Sequence, residues 1–228
     1  MGARGTKYQK LGSFVERIKQ RGYEMRSKIL FVIGTGVAAM VVAALAGPKG
    51  AVAHDVAAEI EKVRMATLKY NDVNVAKAEG IILPPPGDCV SAAHEGLPAK
   101  WGAMGLHYIN PKLLKITQGK PRVDGKSTHT DFMKPAILLY EPRTDGSIAL
   151  VGVENLVFMN AWHAAGNQAP PKFAGRIWDT MADNAGTPQY ESHGFEPNHD
   201  QHVYFKTIEN PNDQLNPFTT NVTCEHHK

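Results

Sequence analysis

Eighteen consecutive residues, 29–46, carry no charge, and they divide this chain of 228 residues into two unlike objects. Residues 1–53 hold nine Lys or Arg against two Asp or Glu, while residues 54–228 hold sixteen against twenty and all ten His. The formal net charge of +3 is therefore the average of a basic leader and a mildly acidic body. Arg26 and Lys28 precede the apolar run, Gly47-Pro48 ends it, and Ala51-Val52-Ala53 has the small-x-small pattern of a signal-peptidase site. Two readings follow. Either residues 1–53 are a signal peptide and His54 opens the mature chain, or the run stays uncut as an anchor, since 18 apolar residues just span a bilayer. In both, the seven Lys and Arg within residues 7–28 hold the N-terminus in the cytoplasm. The body is then expected outside it, secreted or periplasmic. No Arg-Arg pair precedes the run and no Cys follows it, which points to the general secretory route without a lipid anchor. A start at Met25 would give a leader of ordinary length. A start at Met1 adds a short basic helix, Phe14 to Tyr23, for the inner membrane surface.

Residues 54–228 read as a single exported α+β domain. The composition, 43% hydrophobic and 21% charged, is that of a globular chain and excludes collagen, coiled coil and wholesale disorder. Val56, Ile60, Val63, Thr67 and Tyr70 repeat at helical spacing, with Asp55 placed to cap the start. Asn71-Asp72 interrupts the stripe, and Asp72 is placed to cap a second short helix that ends near Gly80. Pro84-Pro85-Pro86-Gly87 is a stiff connector. Beyond it the pattern turns to strands: Leu106 to Ile109, Ala136 to Tyr140, Ile148 to Phe158 and Val203 to Ile208. Glu141 to Gly146 forms a hairpin turn between the second and third. Phe173, Ile177 and Met181 mark a short helix, weakened by Gly175. The expected architecture is N-terminal helices followed by a mostly antiparallel sheet with long loops. The two cysteines, Cys89 and Cys224, read as a disulfide in an exported chain.

Several blocks taken in order resemble a family of secreted bacterial proteins of unknown function. The most specific is Gly102-Ala103-Met104-Gly105-Leu106-His107-Tyr108-Ile109-Asn110-Pro111. With it go Pro135 to Pro142, Leu150 to Glu154, His199-Asp200-Gln201-His202-Val203, Asn216-Pro217 and Cys224. The resemblance spans nearly all of the body. It implies export and architecture and carries no activity.

Chemistry is sought among the histidines. On a strand, Asp200, His202 and Tyr204 share one face, and His199 sits at its mouth. If the strands bearing His107 and His202 are neighbours, imidazoles and a carboxylate converge. Neutral imidazole with carboxylate suits Zn, Cu, Ni or Fe. The ligand set expected is His107, His199 and His202, with Asp200, Glu154 and His193 as further candidates. Against it stands the fact that His-x-x-His on a strand sends its two rings to opposite faces, and the same histidines would serve in a hydrogen-bonded polar network. Glu141 and Glu154 form a second candidate pair, for acid–base work or a cation, although Glu141 precedes Pro at a strand end and reads as solvated. An N-terminal His54 would resemble the copper clamp of lytic polysaccharide oxygenases, but those open with a strand where a helix is expected here.

Other classes are disfavoured. There is no Gly-x-Ser-x-Gly elbow, P-loop, dinucleotide fingerprint or His-Glu-x-x-His. The acidic body lacks a basic stripe, so no nucleic-acid partner is expected, and contact with a membrane would run only through the leader. Three functions remain: a domain binding a small ligand or metal ion, a metal-dependent extracytoplasmic enzyme of hydrolytic or oxidative type, and a structural or interaction protein of the cell envelope.

Overall fold

Two apolar-rich segments joined by residues 143–147 form a hairpin at the centre of the main sheet. The computed structural model describes residues 49–182 and 194–228. Residues 1–48 of the leader, with the apolar run 29–46 and Met25, and His193 lie outside the described residues. Among those described, no helix is long and apolar enough to cross a membrane.

Helix α1 (Lys49–Thr67) passes through a 3₁₀ turn (Leu68–Asn71) into α2 (Val73–Ala78). The strands and short helices follow as β1 (Cys89–Ser91), β2 (Ala103–Ile109), α3 (Pro111–Leu114), β3 (Ile116–Gln118), β4 (Asp124–Gly125), β5 (Ile137–Pro142) and β6 (Ile148–Phe158). After α4 (Met159–Ala164) come β7 (Lys172–Phe173), β8 (Arg176–Ile177), β9 (Asp179–Met181) and β10 (Asn198–Tyr204). Six strands form the main sheet in the order β1-β2-β5-β6-β10-β9, and every pairing in it is antiparallel. The result is the α+β architecture expected, helices first and sheet after.

The helical stripe does what its spacing predicts. Val56, Ile60, Val63, Thr67 and Tyr70 are all buried, and the apolar members pack with Leu106, Tyr108, Leu138, Tyr140, Val153 and Val203 of the sheet. Each buried aliphatic side chain of this kind contributes about 1.5–3 kcal/mol. Tyr140 Oη donates to the Tyr70 carbonyl at 2.7 Å and ties the end of the helical segment to the sheet. Asp72 caps α2, its side chain accepting from the Asn74 amide at 2.9 Å. The opposite face of the sheet carries Ile109, Ile137, Leu139, Leu156, Phe158 and Tyr204, packed with Leu114 and Val222.

The C-terminal segment closes over the sheet edge. Cys89 and Cys224 are disulfide-bonded, with Cα atoms 5.7 Å apart and 135 positions between them in sequence. Chain entropy alone assigns a closure of that length about 4–5 kcal/mol. Thr219 pairs with Ala103 through two backbone hydrogen bonds, beside Gly102. A Cβ at Gly102 would lie 2.0 Å from the Thr219 carbonyl oxygen, so the glycine is what lets the tail approach.

Four expectations are corrected. Asp55 does not cap α1, because the helix already runs from Lys49. Phe173, Ile177 and Met181 do not share a helix. Ala174 and Gly175 both take positive φ, 47° and 82°, and this tight turn folds the segment into the β7–β8 hairpin and then β9. The last strand spans Asn198–Tyr204 rather than Val203 to Ile208, since its polar residues are paired on both sides and buried. Glu141 is not solvated: it is 5% exposed, accepts from the Thr223 amide at 2.8 Å and pairs with Arg143 at 2.9 Å.

Candidate metal centre

Strand register decides which of the candidate ligands meet. Glu154 on β6 lies directly opposite His202 on β10. His107 on β2 lies opposite Leu139, which in turn opposes Gly152, two residues before Glu154 on the same face. Gly152 lets β10 and the Tyr204 ring pack close on this face: a Cβ there would lie 2.7 Å from the Val203 carbonyl oxygen and 3.1 Å from the Tyr204 ring. That ring lies parallel to His202, with centroids 6.0 Å apart.

The three side chains converge on one oxygen. Nε2 of His107 and Nε2 of His202 each stand 3.4 Å from Oε2 of Glu154, and potential ligand atoms of all three residues lie within 4.8 Å of one another. His202 and Glu154 are buried, and His107 is partly exposed at 20%. A separation of 3.4 Å is longer than an ordinary N–H···O hydrogen bond, and Oε2 accepts no hydrogen bond among the described residues. His107 Nδ1 lies 3.2 Å from the Gly105 carbonyl oxygen. A carbonyl only accepts, so Nδ1 carries the proton, and in the neutral ring Nε2 then presents a lone pair to the carboxylate. Metal-ligating histidines are commonly oriented in this way, one nitrogen held by a carbonyl so that the other is aimed at the ion.

Burial pushes the Glu154 carboxyl well above the usual carboxylate range, and the neighbouring charge of Asp200 pushes it the same way. The Tyr204 hydroxyl is raised by the same burial, then by Glu154 and Asp200. Glu154 and Asp200 face a cavity of about 340 Å³. His107, Glu154, Asp200, His202 and Asn198 supply its polar lining, with Leu83, Pro84, Pro85, Pro86, Leu156 and Phe195 among its apolar walls. Exposed Asp88, His94 and Glu95 stand around the opening.

The expected ligand set is thus brought together in part. His107, His202 and Glu154 meet, and Asp200 lines the same cavity. His199 does not join them. It lies on the opposite face of β10, where Nδ1 is 2.9 Å from Thr180 Oγ1 and the ring faces His163 at 6.3 Å. The split that His-x-x-His imposes on a strand is realised. Glu141 opposes Ala149 rather than Glu154, so the two glutamates form no pair. Asn198 and the proline connector as a cavity wall were not anticipated. Asn198 was legible only as the start of a polar strand, and nothing local in the connector says what it covers. The backbone at His54 is helical, as the stripe implied. The chain matches no family model, no curated protein and no solved structure.

Proposed function

We propose that this domain works outside the cytoplasm and binds one divalent transition-metal ion through His107, Glu154 and His202. The observation that carries the reading is the convergence of His107 Nε2 and His202 Nε2 on Glu154 Oε2, each at 3.4 Å. Ligands about 2.0–2.1 Å from a tetrahedral ion sit about 3.3 Å from one another, close to both His–Glu separations. Two imidazoles and a carboxylate suit Zn, Cu, Ni or Fe. With zinc, three protein ligands leave a fourth position facing the cavity.

That fourth position favours a second reading, a metal-dependent enzyme of hydrolytic or oxidative type, since a cavity of about 340 Å³ has room for a small substrate beside the ion. The disulfide supports extracytoplasmic residence. Membership in the secreted bacterial family resembled by the block around His107 belongs to the same proposal.

The test is metal uptake by purified protein stripped with a chelator. One zinc per chain is expected. At a free concentration of about 100 Kd, zinc should stabilise the fold by about 2.7 kcal/mol. Glu154→Gln should abolish uptake yet raise the stability of the metal-free protein, because it removes a buried acid whose ionised form burial disfavours. A gain of stability with loss of zinc separates ligation from folding. Absence of uptake, or uptake unchanged in a His107→Ala/His202→Ala double variant, would leave the envelope structural role as the better description.

A further inference from the structure

The acidic average of the body hides a local excess of the opposite sign. Residues 111–134 hold six Lys or Arg against two Asp or Glu, whereas the remainder of residues 54–228 holds ten against eighteen. Five of the six are Lys112, Lys115, Lys120, Lys126 and Lys134; all are exposed, and none makes an ion pair among the described residues. The backbone gathers four of them. The Lys115 amide donates to the Lys112 carbonyl at 3.2 Å, and the Lys126 amide donates to the Lys115 carbonyl at 3.1 Å. Asn110 accepts from the Lys112 amide through Oδ1 at 3.1 Å, and its own amide donates to the carbonyl of Ala136, two residues beyond Lys134. Helix α3 is thus the centre of the group, and Lys120 stands in the connection between β3 and β4. Asp124 and Asp131, the two acids of the segment, each accept from a nearby backbone amide. Met133, beside Lys134, is exposed.

We infer that this face docks on the surface of an anionic phospholipid bilayer. A metal ion on His107, Glu154 and His202 plays no part in it. Clusters of four or more lysines are what an anionic membrane attracts, each worth about fivefold in binding when it lies near the surface. Lysine is a compact, hydrated point charge that suits a diffuse field, whereas a single phosphate or carboxylate is better met by the fork of arginine. The one arginine of the segment, Arg122, is paired with Glu196 at 3.8 Å, and none of the five lysines lines the cavity. Single-stranded nucleic acid would want aromatic rings for its bases, and the one aromatic side chain of the segment, Phe132, is buried. A bilayer is also the surface that the sequence leads this chain to, through the uncharged run 29–46. An average over the whole body conceals the patch, which is why the sequence reading confines membrane contact to the leader.

Acylation of exposed lysines, read site by site by mass spectrometry on the full chain, tests this. The probes are vesicles of mixed phosphatidylglycerol and phosphatidylcholine, vesicles of phosphatidylcholine alone, and soluble polyphosphate. Lys77, Lys172 and Lys206, exposed elsewhere on the body, are the references. Labelling of Lys112, Lys115, Lys126 and Lys134 is expected to slow about threefold or more with the mixed vesicles, with the references little changed. The protection should vanish in about 1 M salt, where the field reaches only about 3 Å. In Lys112→Gln/Lys115→Gln/Lys126→Gln, Lys134 should lose its protection. Because the leader is the same in both chains and both vesicles, its own attachment to lipid does not imitate this pattern. Equal slowing at the reference lysines, slowing as strong with phosphatidylcholine alone, or a protected Lys134 in the triple variant overturns the inference. Protection by polyphosphate without protection by the mixed vesicles overturns it as well and makes the partner a soluble polyanion. Should the variant fail to fold, the footprint of the unaltered chain decides alone.

Discussion

The two faces of the main sheet are made by the same strands and filled in opposite ways. On one, Leu138, Tyr140, Val153 and Val203 pack under the stripe of α1. On the other, neighbours of these residues along the same strands are Leu139, Glu154 and His202, and the last two are buried against a cavity rather than a helix. A single step along β6, from Val153 to Glu154, passes from stabilising burial to a burial that penalises the ionised acid. The helix face and the disulfide therefore supply stability that the cavity face draws on. A ligand site of this kind is possible because strand alternation lets one segment serve both purposes without compromise between them.

Removing either support should leave the cavity face able to bind while lowering overall stability. The largest effect is expected from Cys89→Ala/Cys224→Ala, which reopens a closure of 135 positions and should cost about 4 kcal/mol in a urea melt. Leu138→Ala comes next. Leu138 is 0% exposed at the centre of the helix-covered face, and the substitution should cost about 3 kcal/mol. In both variants, zinc uptake per folded molecule should match that of the unaltered chain. Loss of uptake in Leu138→Ala, with the fold intact by circular dichroism, would show that the faces are coupled and that the contrast drawn between them is wrong.

What the sequence made legible follows the same division. The stripe from Val56 to Tyr70 and the hairpin around Asp145-Gly146 are readable because helical spacing and a glycine turn are local signals. Cys89 and Cys224 are readable because a lone pair of cysteines behind an export-type leader reads as a disulfide. Strand β10 was displaced because Asn-His-Asp-Gln-His does not look like a buried segment. Its burial comes from β6 and β9 on either side, contacts that no local window contains. Glu141 was read as solvated for a related reason: the amide that it accepts from, Thr223, is 82 residues away. The pair His107 and His202 was legible from residue type and strand parity, but the part played by Glu154 depends on register across three strands. That Pro84 to Pro86 wall the cavity depends on where a loop returns, which composition does not encode.

The smallest expected effect concerns the histidine that the sequence grouped with the site and the fold sends to the other face. His199 is 3% exposed, its Nδ1 is engaged with Thr180, and its Nε2 is buried with no hydrogen-bond partner among the described residues. Burial holds its pKa below the ordinary histidine value, and the facing His163 lowers it further. A depressed value means that the unfolded chain binds the proton first. Stability is then fully present above the unfolded value, about 6.5, and is lost as pH falls from there towards the folded value, with a slope of up to about 1.4 kcal/mol per pH unit. His199→Phe keeps an aromatic ring and removes the titration, so its urea midpoint should fall less between pH 7 and pH 5 than that of the unaltered chain. The comparison is made on metal-free protein, so that proton competition at His107 and His202 does not enter. Equal pH dependence in the two proteins would mean that His199 is not the group buried neutral on this face, and that the separation between the site and its near neighbour in sequence is less complete than the register implies.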